Sequence, residues 1–198
     1  MGSIESLVNH AQSSSPSDVR LRDARTHELD ELAQLLAEVY RGFRRHLPDG
    51  AWEHYIGEIV DVRSRLGESE LIVAEDAGRL VGTIGLYPDA SRSAIERWPD
   101  GWESIRTLGV LAEARRRGVG TALASECVRR AQARGTNAIG LHTAAHMVAA
   151  TRLYERLGFR RAPEFDIEIG EMFTGRSLPP GDSWQARAYR LDLGEVLT

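Results

Sequence analysis

Arg115, Gly118 and Gly120 lie in the run Leu108-Gly-Val-Leu-Ala-Glu-Ala-Arg115-Arg-Arg-Gly118-Val-Gly120-Thr121. An extended stretch leads there through a short turn into a helical one, with two glycines two positions apart. Glycine lets a ligand approach the main chain closely, and the first N–H groups of a helix have no intrahelical acceptor. Together with the helix dipole they make an anion site, to which Arg115, Arg116 and Arg117 add charge. A dinucleotide fingerprint would need a third glycine at 123, where Leu123 stands. A phosphate loop ending in Gly-Lys needs a lysine, and all 25 basic residues of this 198-residue chain are arginine. A pyrophosphate held without lysine or magnesium remains. A solvated arginine run before an ordinary helix fits this segment equally well.

The same lack of lysine excludes Schiff-base and pyridoxal-phosphate chemistry. The single Cys127 excludes an intrachain disulfide and a Cys-rich metal site, and no activating base for its thiol is legible. His142 and His146 are four apart but lack a Glu-x-x-His context, so no metal is expected. Neither a Gly-x-Ser-x-Gly elbow nor a His-Glu-x-x-His motif occurs, which removes the hydrolase templates. A net charge of -4, from 29 acidic against 25 basic residues, argues against nucleic acid. No stretch approaches the ~20 apolar residues that span a bilayer, and the start lacks a secretory core. The expectation is a soluble cytoplasmic protein with no membrane contact.

These candidate groups need elements to position them. Residues 1–17 are polar and Ser-rich and predict a flexible tail before a single domain, 18–198. A strand is expected from Asp18 to Arg22, then a helix over 27–40 from Leu29, Leu32, Leu36 and Val39, with Thr26 as its N-cap. Trp52, Tyr55, Ile56, Ile59 and Leu66 mark a second helix. Leu71–Glu75 and Arg79–Tyr87 form a hairpin about Asp76-Ala77-Gly78. An extended run, Ser104–Leu111, precedes a helix at 121–134, a buried strand at 138–142 and a helical stripe of Met147, Ala150, Tyr154 and Leu157. Two strands, 159–169 and 186–193, flank an insertion at 170–184.

With the elements in that order, the chain resembles the GNAT superfamily of N-acetyltransferases. Its Gln/Arg-x-x-Gly-x-Gly/Ala signature is matched by Arg115, Gly118 and Gly120. An Ala-x-x-Leu-Tyr-x-x-x-Gly-Phe pattern is matched by Ala150, Leu153, Tyr154, Gly158 and Phe159. The resemblance, over about residues 18–193, implies an α/β (α+β) fold: a mixed, mostly antiparallel seven-stranded sheet, helices on both faces and a splayed central strand pair. It implies acetyl-CoA as co-substrate, its pantetheine against Leu108 and Val110 and its pyrophosphate near Arg115, Arg116, Arg117, Gly118, Val119, Gly120 and Thr121. A strand N–H around Leu108 would stabilise the oxyanion.

Tyr154 would be the general acid. Free thiols titrate at about 8.5 and tyrosine at about 10, so protonation of the leaving thiolate is nearly balanced. Where the family often has an Asn against the pantetheine, this chain has Met147. The family's acidic residue early in the central strand falls at Ser104, with Glu103 beside it on the opposite face. Either Glu103 is reached through a bulge, or Ser104 holds a water, or no dedicated base exists. At pH 7 a lysine-type amine is free in about 0.04% of molecules and an α-amine in about a tenth, which favours a low-pKa acceptor. The expected activity is direct acetyl transfer to a primary amine of a small molecule or a protein N-terminus. A non-catalytic CoA-binding sensor on the same fold is the alternative. Trp52, Tyr55 and the acidic, Trp-containing loop 88–103 would wall the acceptor side, where acids with aromatics suit a cationic amine and a solvated loop fits as well. The final strands and the insertion would supply a dimer seam, as in relatives.

Overall fold

The structure, a computed structural model, describes residues 19–47, 50–93, 96–174 and 184–194. The expected tail at 1–17, and positions 175–183 of the insertion, lie outside the described residues. Strand β1, Arg20–Asp23, pairs antiparallel with β2, Glu70–Asp76, which forms a hairpin with β3, Arg79–Tyr87. The turn residues Ala77 and Gly78 both have positive φ, as a two-residue hairpin turn demands. β3 pairs with β4, Trp102–Val110, and β4 runs parallel to β5, Ala138–Ala144.

Among the described residues the sheet has eight strands rather than the expected seven. Pro163 has no N–H for a ladder, and the run expected as one strand over 159–169 breaks there into β6, Arg160–Arg161, and β7, Ile167–Glu168. Both pair with β8, Gln185–Asp192, which lies against β5. The sheet order is β1-β2-β3-β4-β5-β8-β6, and β4–β5 is its parallel contact.

Helices cover both faces. α1, Leu29–Arg41, buries Leu29, Leu32, Leu35, Leu36 and Tyr40, the i, i+3, i+4 stripe of an amphipathic helix. Thr26 is not its N-cap. A 3₁₀ turn, Thr26–Glu28, precedes it, and the buried Glu28 carboxylate accepts from the Arg25 N–H at 2.7 Å and from Arg22 at 2.6 and 2.8 Å. The arginine on β1 decides which oxygen closes the turn. α2, Trp52–Val60, packs beside α1 and stops short of the expected Leu66. α1 and α2 form one core with Leu71, Val73 and Leu80. On the other face α3, Val119–Arg134, and α4, Val148–Arg156, form a second with Ile72, Ile105, Ile139 and Leu141. A small cluster about Trp98 and Ala188 closes the β5–β8 region. A further short helix, α5, Gly170–Thr174, precedes the undescribed part of the insertion.

Candidate active site

β4 carries the feature on which the site is built. Thr83 stands opposite Gly109 and Gly85 opposite Arg106, so Ile84 of β3 faces two residues of β4, Thr107 and Leu108. This is a β-bulge, and Thr107 adopts φ +51 within it. Pairing between β4 and β5 ends at Ile105 and Leu141, although the strands run on to Val110 and Ala144. The strands therefore splay into a wedge whose β4 edge, from Arg106 onward, has no strand partner on that side. Polar main-chain groups so exposed call for a ligand.

The β4 arm of the wedge abuts the start of α3. Gly120 lies against Leu153, Val110 and Leu108, where even a Cβ would come within 3.1 Å of Leu153. Gly118, the N-cap of α3, has φ +84 and open space where a side chain would project. The first helical bond runs from Ala122 N–H to the Gly118 carbonyl, so the N–H groups of Val119, Gly120 and Thr121 have no helical acceptor. Arg115, Arg116 and Arg117 are exposed around this end. Arg117 pairs with Asp76 at 2.7 Å, and Arg115 Nε donates to the Val110 carbonyl at 3.0 Å.

A cavity of about 360 Å³ lies on the α2 side of the wedge. Tyr40, Tyr55, Phe173 and Trp184 give it an aromatic wall, with neighbouring ring centroids 5.3–6.1 Å apart. Tyr40 donates to the Leu108 carbonyl at 3.4 Å, and burial pushes its phenol up to about 12. β4 contributes Ile105, Arg106 and Thr107, and Met147 also lines the space. Arg65 reaches in from the loop after α2, donating to the Glu58 and Ile59 carbonyls and to Thr107 Oγ.

The residues expected as base are not brought to this cavity. Glu103, 1% exposed, faces α3, where both carboxylate oxygens take Arg134 at 2.7 and 2.8 Å and Oε1 also accepts from Thr136. No bulge turns it, because the bulge falls four residues further on. Ser104, fully buried, points to the opposite face, beside Gly140, where Trp98 packs so closely that a Cβ on Gly140 would lie 2.6 Å from its ring. The Ser104 hydroxyl has no hydrogen-bond partner among the described residues. Tyr154 lies buried in the α3–α4 core, edge-on to Phe159, and burial, with Tyr40 and Cys127 nearby, raises its phenol well above the usual value. Cys127 is buried in the same core, which raises its thiol and keeps it unreactive.

Charged groups do meet the cavity elsewhere. Glu96, from the loop before β4, and His142, the first residue of β5 beyond the paired segment, both line it. Glu96 Oε2 accepts from Trp98 Nε1 at 2.9 Å and from Arg106 Nε and Nη2 at 3.0 and 2.8 Å, while Oε1 faces His142 Nδ1 at 3.4 Å. Burial opposes ionisation of Glu96, but His142, Arg106 and Trp98 together outweigh it and hold the carboxyl below the usual range. Nothing in the spacing of 96, 106 and 142 signals this contact. Alternation along β5 shows only that His142 and Gly140 share a face. Among the described residues no group of three His, Cys, Asp or Glu could hold a metal, and no helix is long and apolar enough to cross a membrane.

The sequence profile of the Acetyltransferase (GNAT) family matches residues 29–159. The chain is 31% identical over 137 residues to the "Probable N-acetyltransferase camello" of Xenopus tropicalis, covering 68% of this chain and 59% of that protein. It is 29% identical over 149 residues to the "Uncharacterized N-acetyltransferase YhfO" of Bacillus subtilis, covering 74% of this chain and 93% of that one. The crystal structure of a GNAT family acetyltransferase from Brucella melitensis, in complex with acetyl-CoA, superposes with a TM-score of 0.54 at 23% identity, over 72% of this chain and 82% of the other. The chain belongs to the GNAT acetyltransferase family.

Proposed function

We propose that this acetyltransferase takes acetyl-CoA into the wedge between β4 and β5 and transfers the acetyl group directly to a primary amine, on a small molecule or a protein N-terminus. The observation that carries the reading is the end of β4–β5 pairing at Ile105, just before the bulge at Thr107, which leaves a β4 edge whose end abuts the glycine-led start of α3. Pantetheine would pair with the free edge at Leu108 and Val110. The diphosphate would lie over Gly118, on the N–H groups from Arg115 to Thr121, with Arg116 and Arg117 adding charge. Met147 would contact the pantetheine arm from the cavity wall. A Cβ at Gly118 would occupy the phosphate's space, which gives that glycine a purpose beyond its φ.

The amine would enter from the aromatic cavity and attack the thioester carbonyl, forming the C–N bond. The oxyanion would be held by a β4 N–H near Leu108. As the C–S bond breaks, Tyr154 would give its proton to the thiolate. Burial raises its phenol, so at neutral pH it is protonated and has a proton to give. Neither Glu103 nor Ser104 is assigned a role in this step.

Acetyl-CoA should raise the melting temperature, since a ligand that binds only the folded state stabilises it. Wild-type chain should release free thiol with at least one amine of a broad panel. A large thermal shift with no amine acetylated would favour a CoA-binding sensor instead.

A further inference from the structure

The His142 ring and the Glu96 carboxylate face each other at 3.4 Å. His142 Nε2 lies 2.9 Å from the Phe165 carbonyl. A carbonyl only accepts, so Nε2 carries the hydrogen, and in the neutral ring Nδ1 is the bare nitrogen. Nδ1 is buried and has no hydrogen-bond partner among the described residues. The atom before it is Glu96 Oε1, at 3.4 Å. Glu96 cannot turn away, because its other oxygen is held by three donors from Trp98 and Arg106. Two acceptors so placed are completed by a proton, which turns the contact into an N–H···O⁻ bond.

The position suits a reaction that must remove one. His142 opens the β5 arm of the wedge and Arg106 the β4 arm, and both line the cavity with Glu96. We propose that the Glu96–His142 pair is the proton acceptor of the reaction, receiving the proton of the incoming ammonium at Glu96 Oε1 and holding it at His142 Nδ1. This rests on amine acetylation as proposed above. R–NH3⁺ loses one proton to the pair, the free amine attacks, and the C–S bond breaks as the C–N bond forms. The thiolate takes the Tyr154 proton, which the remaining amide-forming N–H replaces, and the pair's proton leaves to solvent. The pair removes the need for an acceptor of low pKa. The other charged groups about the ring are Arg106, paired with Glu96, and Asp166, paired with Arg161 at 2.7 Å; Trp98 and Phe165 cover the rest.

Two substitutions test it. His142→Gln retains a donor for the Phe165 carbonyl and removes the bare nitrogen. Glu96→Gln retains an oxygen for Trp98 and Arg106 and turns its amide onto Nδ1. Each should lower kcat/KM for the amine about 100-fold at pH 7, within the usual range for a general base. The deficit should shrink as pH rises towards the amine's own pKa, with KM for acetyl-CoA unchanged. Values within threefold of wild type and an unmoved pH profile for both variants would overturn the assignment while leaving acetylation standing. A wild-type chain that acetylates no amine overturns both. Nitrogen-15 spectra of histidine-labelled wild type give a check independent of either variant's folding: the resting ring should be the Nε2–H tautomer at pH 8, and an Nδ1–H tautomer would overturn the proposal.

Discussion

Two carboxylates flank β4, and they differ in what their partners leave undone. Glu103, on the α3 face, is saturated: Arg134 grips both its oxygens and Thr136 adds a third donor. Arg134 in turn pairs with Glu70 at 2.7 Å, and Arg130 ties Glu70 to Asp23 and Glu126. This network joins β1, β2, β4 and α3 and has no spare valence for a substrate. Glu96, on the cavity side, has one oxygen saturated and one turned to a bare imidazole nitrogen. Burial and a nearby arginine are common to both acids. What separates structure from chemistry here is the number of donors already spent.

The largest effect that could break this distinction is on turnover. Tyr154→Phe should lower kcat by 10²–10⁴-fold with acetyl-CoA affinity retained, read by thiol release and thermal shift. A variant with normal kcat would return Tyr154 to the core. Next is the anion end of the wedge. Gly118→Val forces a β-branched residue to φ +84 and fills the open space before α3, so coenzyme A affinity by titration should fall at least about tenfold, near 1.4 kcal/mol. Unchanged binding would remove the diphosphate from this spot.

Smaller effects belong to the saturated side. Glu103→Gln should cost about 1–2 kcal/mol, since Arg134 is partly exposed and can turn to solvent, or roughly 2–8 °C in Tm, with kcat within about twofold. A loss of activity at constant stability would make Glu103 the base after all. The smallest is at Glu28, whose carboxyl Arg22, with the Arg25 N–H, holds at about 2 in the folded chain against about 4.3 unfolded. Its stabilising contribution is present above the unfolded value and is lost as pH falls towards 2. The stability gap between wild type and Glu28→Gln in urea melts should hold from pH 8 to 5, narrow below about 4 and close only near 2.

Element order and most element bounds were legible because they rest on local rules. The α1 stripe, the Ala77-Gly78 turn and the glycines at both ends of α3 each act within a few residues. The glycine-led start of α3 at Gly118 was legible for the same reason. One miss, the Thr26 cap, was local: Glu28 accepts from the Arg25 N–H three residues back, with Arg22 six back holding the acid. The others come from contacts distant in the chain. Leu66 fell outside α2, and the nearby Arg65 guanidinium instead bonds the α2 C-terminal carbonyls and Thr107, 42 residues away. Glu103 and Ser104 do not line the cavity, and the bulge next to it lies at Thr107, which no residue type announces.

From its sequence alone the chain determines where it turns, which faces it buries and where a helix begins on bare main chain, since backbone freedom and hydrophobic periodicity are properties of neighbours in the chain. Only the folded sheet decides which acid stands at the aromatic cavity. Residues 96, 106 and 142 come together because β4 and β5 run parallel and then part, and a hydrogen bond of about 3 Å is set by that geometry rather than by spacing in sequence.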